Sequence, residues 1–251
     1  MQKHKRSAQP AGAAVYRPGF RRLVKALKLF CPRWKIAGHG QVETPCLFVS
    51  RHLNNYGPVV LFLHMPVEYR LWVLDSLVEV KDNYNHLRNV TFRQRMRFPL
   101  WLCSLFAGLL CYPAAWVYRG MRAIPVHRSS RKLVQTLQET MEALEQGENV
   151  MVLTDVSYTN TDSEVGELYG GFVYVARLYK RKTGKNLRIV PVLPDIRTRT
   201  LFFHEALIYR EEAGYGAEKE RMKAQLHQIL SFSQGTEGEK GKRETQAHVS
   251  G

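Results

Sequence analysis

The chain lacks the features that mark several common chemistries. Its 251 residues hold only four cysteines, Cys31, Cys46, Cys103 and Cys111, in apolar surroundings and without CxxC spacing. That argues against a disulfide framework or a structural zinc site, and reduced thiols in a cytoplasmic setting are expected. There is no Walker sequence, no GxGxxG and no HExxH, and the nine histidines do not cluster at ligand spacing, so neither a nucleotide loop nor a metal is implied. Met1 to Pro10 lead into basic sequence and not into an apolar run with a cleavage site, so no secretory signal is expected. Negative charge is also missing at one end: no acidic residue precedes Glu43, whereas ten Lys/Arg do.

What is present suits one folded domain with a small appendage, because 45% of residues are hydrophobic and 24% charged. Lysine and arginine number 37 against 22 acidic residues, a formal +15, so the expected partner is anionic: a phospholipid surface, a phosphorylated substrate or a nucleic acid. Two thirds of that net charge lies before Glu43. There Phe20, Leu23, Val24, Leu27 and Phe30 recur at helical spacing, with Arg21, Arg22, Lys25 and Lys28 around them and Pro18-Gly19 at the start. The pattern is a basic amphipathic N-terminal helix. It suits a surface helix docked on the core, a helix in the membrane interface, or a nucleic-acid-binding arm.

From Phe98 to Tyr118 run 21 residues without a charge. Pro113 is expected to split this stretch, leaving Leu100 to Tyr112 as the longest clean helix, about 20 Å against a hydrocarbon core of ~30 Å. An interface-buried or re-entrant element and a plain core helix both fit better than a transmembrane span. Trp101, Tyr112, Trp116 and Tyr118 are residues that favour the headgroup level and also fill ordinary cores.

The remainder alternates strands and helices. Cys46 to Ser50, Arg70 to Leu74, Ala123 to Val126, Val150 to Leu153 and Leu187 to Val192 read as buried strands. Lys132 to Glu145 reads as an amphipathic helix with Leu133, Leu137, Met141 and Leu144 on one stripe, and Ala217 to Phe232 as a last charged helix. The fold class is therefore α/β, a mixed central sheet flanked by helices. Three parts are expected: a basic membrane-interface segment over 1–42, the α/β domain over 43–232, and a polar disordered tail over 233–251.

Phe48-Val-Ser-Arg-His-Leu-Asn-Asn-Tyr-Gly-Pro58 follows a strand and opens an apolar helix, which places His52 at a strand's carboxyl end, where open α/β sheets hold their ligands. A histidine there can act as general base near neutral pH. Downstream come Met121-Arg-Ala-Ile-Pro-Val-His-Arg128, then Val152-Leu-Thr-Asp-Val-Ser-Tyr-Thr-Asn160, then Gly166-Glu-Leu-Tyr-Gly-Gly-Phe172, then Ile189-Val-Pro-Val-Leu193. This order resembles the glycerolipid acyltransferase family, which contains the bacterial lysophosphatidate acyltransferases, over about 150 residues from Pro45 to Pro194.

The resemblance implies an acyltransferase-like fold and an enzyme that moves a fatty acyl group from acyl-CoA or acyl carrier protein to a lysophospholipid or glycerol-phosphate acceptor, with no cofactor. It implies His52 as the base that deprotonates the acceptor hydroxyl, Arg128 as a phosphate-holding residue, Pro191 as the proline of the fourth block, with packing at a strand edge as the equal alternative, and Gly171 as the glycine after the third. Asp155 stands where the family has Glu in its third block. The turn Asp155-Val-Ser-Tyr-Thr-Asn-Thr161 adds Ser157 and Thr159 as donors to phosphate or glycerol oxygens, or is a hydrogen-bonded turn with no ligand. Arg51 and Arg131 are further basic neighbours. The expected setting is the cytoplasmic face of the cell membrane, peripheral or monotopic, on anionic phospholipid, with nucleic acid not expected as a partner.

One departure bears on the chemistry. The family's Asp, five residues after the histidine, is Gly57 here, which can orient nothing. In a hydrolase triad the loss of the carboxylate partner lowers turnover ~10⁴-fold. Either another group orients the imidazole, with Asp155, Asn54, Asn55 and Asp75 as candidates, or the chain is a relative that binds lipid without turnover. His127, beside Arg128, is the one other histidine of interest, with a structural role the plainer reading.

Overall fold

Short apolar runs bounded by turn residues form the strands, and helices with one apolar face lie between them. In a computed structural model of the chain, which describes residues 15–38, 43–51, 56–127, 130–154 and 163–232, the first half runs α1 (Pro18–Phe30), β1 (Lys35–Gly38), β2 (Cys46–Arg51), α2 (Tyr56–His64), β3 (Tyr69–Leu74), α3 (Asp75–Val78) and α4 (Val80–His86). A π-helical segment (Leu87–Arg95) prolongs α4, followed by α5 (Leu100–Gly120), β4 (Ile124–Val126), α6 (Ser130–Glu145) and β5 (Asn149–Thr154). The chain ends in α7 (Ser163–Thr183), β6 (Arg188–Asp195), β7 (Thr200–Phe203), β8 (Leu207–Ile208) and α8 (Tyr215–Phe232). The class is α/β with a mixed sheet flanked by helices. Two compact units are present, one formed by Pro32–Pro66 and 152–232, the other by 15–31 and Val67–Met151.

In the first unit the strand order is β1-β7-β6-β2, with β8 also on β6. β6 is parallel to β2, Cys46 facing Arg188 and Val49 facing Pro191, and antiparallel to β7 and β8. Pro191 is thus buried in an interior strand, not at a sheet edge, and its carbonyl accepts the backbone N–H of His204 at 3.0 Å. Phe48 and Phe203 meet edge to face in the core, rings 6.3 Å apart. Gly38 sits at φ 97°, where a Cβ would lie 2.0 Å from the Phe203 carbonyl oxygen, so only glycine lets β1 approach β7 this closely. Met222, Leu226 and Leu230, four residues apart, form the buried stripe of α8. Beside it the fully buried carboxylate of Glu218 accepts the Arg210 N–H at 2.8 Å and is clasped by Arg221.

In the second unit β3 lies between β5 and β4, all parallel, with Leu71 facing Met151 and Leu74 facing Val126. Threonines fasten α6 to these strands. Trp72 Nε1 donates to Thr140 Oγ1 at 3.0 Å, and Thr136 Oγ1 donates to the Pro125 carbonyl at 2.7 Å.

α5 departs from the expected break. It is one helix of 21 residues passing through Pro113, about 31 Å at ~1.5 Å per residue. By length and composition it could cross a membrane, which corrects the shorter estimate made from Pro113. Proline deprives the carbonyl four residues back, that of Leu109, of its donor. Both Leu109 and Pro113 are exposed, so this loss falls on the outward side. The inner side is small: Cys103, Ala107, Cys111 and Ala115 are buried. Cys103 and Ala107 pack with Phe92, Tyr84, Leu87, Phe98 and Phe106, and Asn83 Nδ2 donates to the Cys111 carbonyl at 3.3 Å.

α1 docks on the far end of α5 through Phe20 and Val24. Phe20 meets Trp116 with rings 5.8 Å apart and presses on Gly120, where a Cβ would come within 2.7 Å of it. The approach to α1 is held by Glu68, whose carboxylate accepts the N–H groups of Val15 and Tyr16 at 2.8 Å each and Arg21 Nε and Nη2 at 2.5 and 2.9 Å.

Candidate functional site

Because β3, β4 and β5 are parallel, their carboxyl ends share one edge of the second unit. Asp75 directly follows β3 and His127 directly follows β4, and the register that sets Leu74 opposite Val126 makes the two residues neighbours. His127 Nδ1 lies 2.9 Å from Asp75 Oδ2, while Asp75 Oδ1 accepts the Ser76 N–H at 2.8 Å. The His127 N–H points to Thr136 Oγ1 at 3.4 Å. The carboxylate thereby holds the imidazole through Nδ1, and Thr136 holds the backbone beside it. Its side chain is 14% exposed and that of Asp75 44%, so the pair is sheltered and reachable.

A carboxylate that accepts the Nδ1 proton selects the neutral tautomer whose lone pair is on Nε2. Among the described residues none hydrogen-bonds His127 Nε2. Such a pair can take a proton from a hydroxyl and return it, the core of general base catalysis.

The opposite edge, at the amino ends of the same strands, is an ion-pair network. Arg70 Nε donates to the Arg122 carbonyl at 2.7 Å, and its other nitrogens lie 3.7 and 3.8 Å from Glu139 and Glu148. Glu148 also pairs with Arg122. Burial and the neighbouring Arg122 draw the Arg70 guanidinium below its ordinary range, against the pull of Glu148 and Glu139. Burial likewise pushes the Cys46 thiol up to about 12, and none of the four cysteines is in a disulfide.

His52, Arg128, Asp155, Ser157 and Thr159, and with them Asn54 and Asn55, lie outside the described residues. Gly57 is buried in the first turn of α2. Gly171 lies within α7, half-buried and followed by the buried Phe172, Val173, Val175 and Ala176. Arg51 Nη1 donates to the Leu230 carbonyl at 3.2 Å, so α8 engages this guanidinium. Asp75 and His127 were each legible as candidates, but not as partners of one another. The missing signal was register, since each is the first residue after its strand.

The second unit also carries an apolar surface. Trp101, Leu105, Leu109, Tyr112 and Trp116 form one stripe along α5, with Trp101 69% and Leu109 68% exposed. The end of α1 also exposes Leu29 and Phe30, the latter 88% exposed, and the helix exposes Arg22, Lys25 and Lys28. No group of three or more His, Cys, Asp or Glu side chains converges as a metal site among the described residues. Compared with known proteins, the chain matches no family model, no curated protein and no solved structure.

Proposed function

We propose that this chain is a membrane-peripheral acyltransferase, moving a fatty acyl group from acyl-CoA or acyl carrier protein to a lysophosphatidate-like acceptor. The observation that carries the reading is a juxtaposition within the second unit: a sheltered His–carboxylate pair at strand carboxyl ends, and a long apolar stripe with a basic helix docked beside it. The stripe and the cations of α1 suit the cytoplasmic face of an anionic leaflet, apolar side chains among acyl chains and Lys/Arg at headgroups. A histidine base then activates the acceptor hydroxyl toward the thioester carbonyl. The resemblance gives that role to His52, phosphate binding to Arg128, and supporting contacts to Asp155, Ser157, Thr159 and Gly171.

Acyl transfer to lysophosphatidate and glycerol 3-phosphate, with both donors supplied in liposomes, tests the enzyme. Sedimentation with phosphatidylglycerol-rich vesicles tests the surface. Binding that weakens on removal of residues 1–31 is expected, and solubility without vesicle binding at any salt concentration would count against it. The second reading, a lipid-binding relative without turnover, is favoured by Gly57. It requires vesicle binding with no product from any donor and acceptor.

A further inference from the structure

The absent carboxylate at Gly57 leaves His52 without the partner that the family's spacing supplies. Its place in the chemistry need not stay vacant. A histidine ring held by a carboxylate does lie at a strand end: His127 Nδ1 is 2.9 Å from Asp75 Oδ2. The contact spans neighbouring parallel strands, 52 residues apart in sequence, so it depends on the fold and not on a local turn. Asp75 is itself fixed by the Ser76 N–H, and the pair sits at the strand edge where α/β sheets hold ligands. Here Nδ1 and the backbone N–H are engaged while no described residue takes Nε2.

We infer that His127 is the catalytic base of the proposed acyl transfer and Asp75 its positioning residue, an assignment that rests on the acyltransferase reading. The acceptor hydroxyl gives its proton to His127 Nε2 as its oxygen forms a bond to the thioester carbonyl carbon, whose π electrons move onto oxygen. Asp75 stabilises the imidazolium through the Nδ1–H. Collapse of the tetrahedral species breaks the C–S bond, and the departing thiolate takes the proton from Nε2. One ester and one thiol leave, and the ring is restored.

The test compares the full-length wild type with His127→Ala, His127→Gln, Asp75→Asn and His52→Ala in liposomes. It measures acyl transfer to lysophosphatidate and, separately, thioester hydrolysis with water as acceptor. Both His127 variants are expected to lose about 10²–10⁴-fold in kcat, the range for a general base, with little change in KM. His127→Gln can still donate an amide N–H to Asp75, so it guards against a loss that only reflects folding. Added imidazole should restore His127→Ala, a rescue that a structural role would not give. Asp75→Asn should lose kcat with KM retained and should not respond to imidazole. The inference is overturned if His127→Ala and His127→Gln keep near-wild-type kcat while His52→Ala abolishes transfer. A wild type that binds vesicles but neither transfers nor hydrolyses would remove the acyltransferase reading, and this inference with it.

Discussion

Glu68 fastens α1 to the second unit, and its removal has a calculable cost. In Glu68→Ala the N–H groups of Val15 and Tyr16, both in buried residues, lose their acceptor, and the Arg21 guanidinium loses its carboxylate. A buried donor left unpaired costs about 1–3 kcal/mol. The Arg21 side chain is a third exposed and resolvates in part, so the ion pair adds little. The two donors together cost about 2–6 kcal/mol, or roughly a 30- to 20,000-fold shift in the local opening of α1. Val15 and Tyr16 donate to the same oxygen, so Glu68→Gln can keep both of these bonds and should cost much less than Glu68→Ala. Hydrogen exchange of the α1 amides reads this directly, the amides of α6 serving as an internal reference. The same clamp responds to acid. Burial tends to raise the Glu68 carboxyl, but the hydrogen bonds from Arg21, Tyr16 and Val15 outweigh it and hold the group below its ordinary 4.5. A depressed folded value means that the stabilisation is complete above about pH 4.5 and disappears as pH falls through the lower, folded value. Unchanged α1 protection in Glu68→Ala, or protection that does not decline with acid, would refute the reasoning.

Other outcomes follow from the same geometry. Gly120→Ala should destabilise the protein by about 1–3 kcal/mol, since its methyl would meet the Phe20 ring at 2.7 Å, and a chemical denaturation midpoint measures it. Glu218→Ala strands the Arg210 N–H and the half-buried Arg221, and should lower the Tm by roughly 5–10 °C for a loss of about 2–3 kcal/mol. Leu105→Asp with Leu109→Asp puts two carboxylates on the exposed stripe of α5, away from its packed face, so vesicle sedimentation should fall while the melting temperature stays near wild type.

Much of the sheet was readable because its strands are short apolar runs cut off by polar turns. The runs around Phe48, Trp72, Ile124, Met151 and Val190 each became a strand, shifted by one to three residues at their ends. β1 and β7 gave weaker signals: Lys35-Ile-Ala-Gly38 is four residues long and mostly exposed, and Thr200–Phe203 follows the arginine-rich turn at Arg197 and Arg199. α7 was hidden by Gly166, Gly170 and Gly171, which suggest a turn, although Phe172, Val173, Ala176 and Tyr179 carry the spacing of its buried face. α5 was cut short on paper because proline breaks helices in general. It persists where the freed carbonyl faces outward and Cys103, Ala107, Cys111 and Ala115 hold the inner side. The candidate pair shows the complementary limit. Asp75 and His127 are each visible in the sequence, but their contact depends on β3 and β4 lying side by side in one register, which no local pattern encodes.

Acyl transfer from acyl-CoA and from acyl carrier protein to lysophosphatidate, in vesicles rich in anionic lipid, tests the central claim most directly, with wild type run beside His127→Ala and His52→Ala. The account predicts phosphatidate from the wild type, with a greater loss in His127→Ala than in His52→Ala. Vesicle-bound protein that yields only background product from every donor, equal in wild type and variants, would contradict it.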